Sequence, residues 1–153
     1  MKHQFTASAL LLVPLICLAG VPVNEISRDK VLSSSEWREN YDGCSPDPNH
    51  ISALKEKLGE NLRIDIYLGL WCSDSLNNVP PFLKILDTAG VSVPVHFFNV
   101  QRKPVKSIQY YVDKLKVERV PTFIFYRGDQ EIGRIVENPK KGLAEDALEI
   151  LSK

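Results

Sequence analysis

Apolar and polar positions alternate along the chain in blocks that predict strands and helices in turn. Arg63 to Leu70 (RIDIYLGL) is apolar enough for a strand buried on both faces of a sheet. From Ser73 the period changes to that of a helix. Leu76, Val79, Leu83 and Leu86 share one face, and Gly90 stops the pattern. Pro80-Pro81 lie inside it and predict a kink. Val93 to Val100 (VPVHFFNV) is a second strand. Pro104 opens a helix with Val105, Ile108, Val112 and Leu115 inward. Thr122 to Tyr126 is a third strand, Arg127 to Gln130 a hairpin turn, and Glu131 to Val136 a fourth strand. Leu143, Ala147, Ile150 and Leu151 mark the last helix. The order from residue 63 is βαβαββα. Its first crossover predicts parallel strands joined right-handedly, and its last two strands an antiparallel pair.

Upstream the signals are shorter. Asp47-Pro48 is a cap followed by a first-position proline, and Ile51, Leu54 and Leu58 form one face of a helix ending at Gly59. Ser33 and Glu36 have capping-box spacing, which predicts a short helix carrying Trp37. Residues 20–33 show no period and read as a linker. Residues 1–19 read as an address: a weakly positive start, then the apolar run Ala9 to Ala19 (ALLLVPLICLA), too short to span a bilayer comfortably. The expectation is a secretory signal peptide cleaved after Ala19, with a retained anchor as the alternative. Ile16 before Cys17 argues against lipidation, which resembles a small residue at that place.

Composition narrows the function classes. The chain has 153 residues with 19 basic and 19 acidic side chains. A balanced charge argues against a nucleic-acid binder. Three cysteines are too few for a small disulfide scaffold. Cleavage after Ala19 would remove Cys17 and leave Cys44 and Cys72 in an oxidising space. Cys72 follows the first strand and precedes its helix. The carboxyl edge of an α/β sheet is where ligands bind, and a helix N-terminus favours a thiolate.

Trp71-Cys72-x-x-Ser75 between strand and helix, Pro80 eight residues after the cysteine, Val120-Pro121-Thr122-Phe123 before a strand, and the Tyr126-Arg127-Gly128 hairpin followed by Glu131-Ile132-Gly133 together resemble the thioredoxin superfamily. The resemblance covers about residues 47–152. It implies an α/β thioredoxin-like fold with a mixed central sheet. The chain then divides into 1–19, a signal peptide; 20–46, a linker and N-terminal helical extension; and 47–153, the thioredoxin-like domain. It also implies roles. Cys72 is the exposed nucleophile, Trp71 shields one side, and Pro121 is cis. Val120, Pro121 and Thr122 form the loop that pairs with an extended substrate.

The departures from the family limit the chemistry. Ser75 stands where the resolving cysteine belongs, so cycling within residues 72–75 is excluded, though a hydroxyl could donate to the Cys72 thiolate. Asp74 opposes a neighbouring negative charge. The family's buried acid lies six residues before the nucleophile, where this chain has Ile66. Asp65 is one step away, on the other face, and reads as a solvent-edge or loop-paired acid. A peroxidase loop would carry Thr or Ser three residues before the cysteine, and Gly69 stands there.

Cys44 precedes the first helix, whose N-terminus should lie near the carboxyl end of strand 63–70. That makes it a candidate resolving or disulfide partner of Cys72; the alternative is a free surface thiol. His50 and His96 read as a solvated and a packed sheet-face histidine, and no metal site is expected. Arg102-Lys103 and Lys140-Lys141 read as solvated turns. The expectation is an exported monomer, periplasmic or extracellular, without cofactor and without membrane or nucleic-acid partners. It would exchange with protein thiols or disulfides, with glutathione a candidate. The alternative is a binding module that keeps the fold without turnover.

Overall fold

The computed structural model describes residues 24–59, 61–102 and 105–153. The signal-peptide segment and Pro104 lie outside these residues, as do the side chains of Val105 and Ile108. The elements are β1 (Glu25–Ile26), α1 (Arg28–Val31), α2 (Ser35–Asp42), α3 (Pro48–Lys57), β2 (Leu62–Leu68), α4 (Ser73–Ala89), β3 (Val95–Asn99), α5 (Val105–Leu115), β4 (Thr122–Arg127), β5 (Gln130–Val136) and α6 (Leu143–Leu151). The sheet order is β1-β3-β2-β4-β5. β2 runs parallel to β3 and antiparallel to β4, and β4 and β5 form the antiparallel hairpin.

Strand β2 is central, so both faces are covered. Ile64, Ile66 and Leu68 point to a large core shared with α2, α3, α4 and α6. Tyr67, on the other face, packs with Tyr111 and Leu115 of α5 and with Val100, Val117 and Ile124. The helices are thus divided unevenly across the sheet. In α4, Val79, Phe82, Leu83 and Leu86 are buried. Pro80 has no N–H to bond the Leu76 carbonyl. The Asn40 side chain of α2 donates to that carbonyl instead, at 2.9 Å. Gly133 allows α6 to lie close on β5, since a Cβ there would fall 2.9 Å from Ile150.

Three local expectations need correction. Residues 24–32 are structured where a linker is predicted. β1 pairs with β3, and Val31 and Leu32 are buried in the large core. A two-residue strand is too short to show a period. The capping box does not form either: Ser34, not Ser33, is the N-cap of α2, and its side chain makes no cap bond. Trp37 is nevertheless buried, as the helical reading places it.

Asp65 is the third correction. It is 8% exposed rather than at a solvent edge, and accepts from Arg63 Nε at 3.1 Å. It lies on the face opposite Ile66. Burial pushes its carboxyl above the ordinary carboxylate range, against the opposing pull of Arg63 and His96. The folded state therefore holds this proton more tightly than the unfolded chain does. The resulting stabilisation is full below the unfolded value, about 3.9, and is lost as pH rises through the higher folded value. Asp65→Asn is expected to raise the melting temperature near neutral pH and to change it little in acid. Thermal melts at the two pH values check this; a less stable variant at neutral pH would show that the Arg63 pair outweighs burial.

Candidate functional site

The turn from β2 to α4 is fixed by four hydrogen bonds from different parts of the chain. Cys72 N donates to Gly69 O at 2.9 Å. Leu70 N donates to Asn99 Oδ1 at 3.2 Å, and Trp71 Nε1 to the Val100 carbonyl at 2.9 Å. Gly69 N donates to Ser75 Oγ at 3.1 Å. Gly69 itself lies under the indole, and a Cβ there would fall 2.8 Å from Trp71 Cε2. No other residue fits between strand and indole without moving Trp71.

This turn makes Cys72 the N-cap of α4, with extended backbone and no side-chain cap bond. Its sulfur points across to the next strand, where Sγ donates to the Val120 carbonyl at 3.4 Å. The Val120–Pro121 peptide is cis. Thr122 is buried and its hydroxyl donates to the Arg119 carbonyl at 2.7 Å. Cys72, Trp71 and Val120 therefore line one cleft of about 480 Å³. Trp71 is 47% exposed and forms one wall.

The other two predicted groups lie elsewhere. Ser75 is fully buried and its oxygen accepts from Gly69, so it braces the turn rather than facing Cys72. Cys44 is a free thiol, as is Cys72. Cys44 Sγ lies 3.8 Å from the Pro81 carbonyl. Pro81 is nine residues beyond Cys72, about 13 Å along the helix at 1.5 Å per residue. A disulfide needs Cα atoms within about 7 Å. The direction of α3 alone predicts Cys44 near the carboxyl end of β2. Its position instead follows from α2, which packs along α4 and delivers Cys44 to the proline pair. Burial pushes the Cys44 thiol up, with Lys84 pulling the other way.

Several contributors carry no motif. Asn78 is buried in α4 and its amide donates to the carbonyls of Asp74 (3.0 Å) and Glu137 (3.2 Å) and to Asn138 Oδ1 (3.1 Å). Glu137 N donates to the Pro121 carbonyl at 2.6 Å, and its carboxylate pairs with Arg119, also at 2.6 Å. A hydrogen-bonded chain thus joins α4 to the cis-proline loop through the end of β5. An asparagine inside a helix is the one available signal, since it competes poorly there unless its amide is used. Arg102, expected in a solvated turn, lines the cleft with its guanidinium 4.8 Å from the Trp71 ring centre.

The histidines lie away from this cleft. His50 faces Glu145 at 3.8 Å, and His96 meets Glu25 at 2.8 Å on the sheet face. Lys141 pairs with Glu149, and the Lys140 backbone is tied to Asp146. Among the described residues no three His, Cys, Asp or Glu side chains converge on a metal position. Nor, among them, is any helix long and apolar enough to cross a membrane.

The Thioredoxin family model matches residues 22–147. No curated protein matches the chain. Among solved structures, an HIV epitope-scaffold is similar at TM-score 0.58 and 12% identity, covering 77% of this chain and 81% of its own. That likeness concerns the fold alone. A thioredoxin from Aeropyrum pernix aligns at TM-score 0.42 and 22% identity, over 65% of this chain and 82% of its own. A protein of unknown function from Pseudomonas aeruginosa aligns at TM-score 0.47 and 16% identity, over 82% and 78%.

Proposed function

Because this chain belongs to the thioredoxin family, we propose that it works through the Cys72 thiol as a monothiol exchange protein, forming mixed disulfides with partner proteins. The observation that carries this reading is the placement of one thiol in the cleft. Cys72 Sγ lies 3.4 Å from Val120 O, while Ser75 is turned to Gly69 and Cys44 rests on Pro81. A partner disulfide meeting Cys72 would exchange one bond for another. The mixed disulfide would then wait for an external thiol, glutathione or a second protein, because among the described residues no second sulfur lies beside Cys72. Val120 and Pro121 would hold the partner's extended chain by strand addition. Monothiol isomerase or mixed-disulfide carrier describes such a site better than reductase. The reading includes export with cleavage after Ala19, supported by the apolar run Ala9 to Ala19, and a monomer without cofactor.

The test is peptide mapping by mass spectrometry after exposure to oxidised glutathione and to a disulfide-containing peptide. Adducts are expected on Cys72 well ahead of Cys44, whose thiol burial holds up. Equal labelling of both thiols would sink the reading. A second reading, a binding module without turnover, is favoured by the commitment of the Ser75 hydroxyl to the turn. It predicts peptide binding that persists with no adduct on Cys72.

A further inference from the structure

We infer that the partner of Cys72 carries a carboxylate beside its reactive cysteine, and that Arg102 reads it; this rests on the exchange function proposed above. Strand order sets the layout. β3 and β2 are parallel, so Arg102 and Cys72 emerge at the same sheet edge. β4 begins, and β5 ends, at that edge. Reading across it, the order is Arg102, then Trp71 and Cys72, then Arg119 and Val120, then Glu137.

The charges along this edge are not equivalent. Arg119 is already paired with Glu137 at 2.6 Å. Asp74 and Glu118 add two more acids to the cleft, and neither forms an ion pair with a cation among the described residues. Arg102 is exposed and has no carboxylate partner among the described residues; its contact is the face of Trp71 at 4.8 Å. Stacking on an indole orients a planar guanidinium and leaves its N–H groups free for bidentate binding of a carboxylate. The cleft charges outside the Arg119–Glu137 pair are therefore divided, with Arg102 beyond Trp71 on one side and Asp74 of α4 and Glu118 of the loop before β4 on the other. A partner segment lying across it meets a cation on the β3 side of its disulfide.

The exchange itself is balanced. Cys72 as thiolate attacks one sulfur of the partner's disulfide. The new bond joins Cys72 to that sulfur, the old S–S bond breaks, and the other sulfur leaves as a thiolate that takes a proton from water. Arg102 takes no part in these bonds; it selects which disulfide is presented.

The experiment uses two peptides that differ only in Asp or Lys two residues from a cysteine activated as its 2-pyridyl disulfide, with release of 2-thiopyridone as the signal. The wild-type chain is expected to react about 2–5-fold faster with the Asp peptide at low salt, the range of an exposed ion pair. The ratio should approach one at high salt. Arg102→Glu should invert the ratio, and Arg102→Lys should retain part of it. An unchanged ratio in Arg102→Glu overturns this inference while leaving Cys72 exchange standing. Release that is no faster than from a Cys72→Ala chain overturns both.

Discussion

A Ser75→Cys variant is expected to reduce insulin disulfides with dithiothreitol on the order of 100-fold or more faster than the parent chain. Among the described residues the parent holds one thiol in the cleft, and on the proposed exchange function each mixed disulfide awaits a second molecule. A sulfur at position 75 stands three residues along from Cys72, at the first turn of α4, on the same side of the helix start. Attack from there is intramolecular, with an effective concentration far above the millimolar level of an external thiol. Ser75 is fully buried and accepts from Gly69 N, so the exchange has a cost. Sulfur is a poorer acceptor than oxygen, and about 1 kcal/mol of stability should be lost. Ser75→Ala separates the two effects. It should lose about 1–3 kcal/mol by leaving a buried donor unpaired, with no gain in turnover. A Ser75→Cys chain that stays at the parent rate, with both thiols free by mass, would mean that the turn holds the sulfurs too far apart.

The second large effect belongs to packing. Phe82→Ala is expected to cost about 3–5 kcal/mol, lowering the melting temperature by roughly 10–20 °C. Phe82 is fully buried one residue after the proline pair. Its ring lies 4.8 Å from Phe123 and 6.1 Å from Phe125 between centres, tilted on one and edge-on to the other. Both partners belong to β4, directly after the cis-proline. The ring therefore joins the helix capped by Cys72 to the strand that follows the Val120–Pro121 loop. Val136→Ala, at a position 42% exposed, is the matched control and should change little. A Phe82→Ala loss below about 1 kcal/mol would mean that neighbouring side chains close the space.

The β2–α4 junction and the β4–β5 hairpin are legible because each is local, whereas the cis Pro121 follows from the family resemblance of Val120-Pro121-Thr122-Phe123. A strand period, a helix period and the residues between them occupy one short window. What was not legible depends on packing between distant segments. No window contains both Cys44 and Pro81, and the path of α2, not the direction of α3, decides where Cys44 lies. The position of Ser75 was predicted, but not its bond to Gly69 N, because that bond depends on how the turn closes. Arg102 resembles any charged loop residue until strand order places it beside Trp71. Asp65 could be assigned to the face opposite Ile66 from the strand period alone. That this residue is buried could not, since its neighbours across the sheet, His96 of β3 and Ile124 of β4, come later in the chain.

The cleft draws on residues 71–74, 100, 102, 117–120 and 137, brought together by β2 pairing with β3 on one side and β4 on the other. Leu62 pairs with Arg127, so closing the second side means closing a long loop, a slow step in a folding chain. A chain folded only through β3 has Cys72 at the end of its strand but no Val120 carbonyl opposite it. Its thiol meets any disulfide without orientation. On the proposed exchange function, guidance depends on this long-range contact, and the onset of selective Cys72 labelling during refolding is expected to mark the docking of β4.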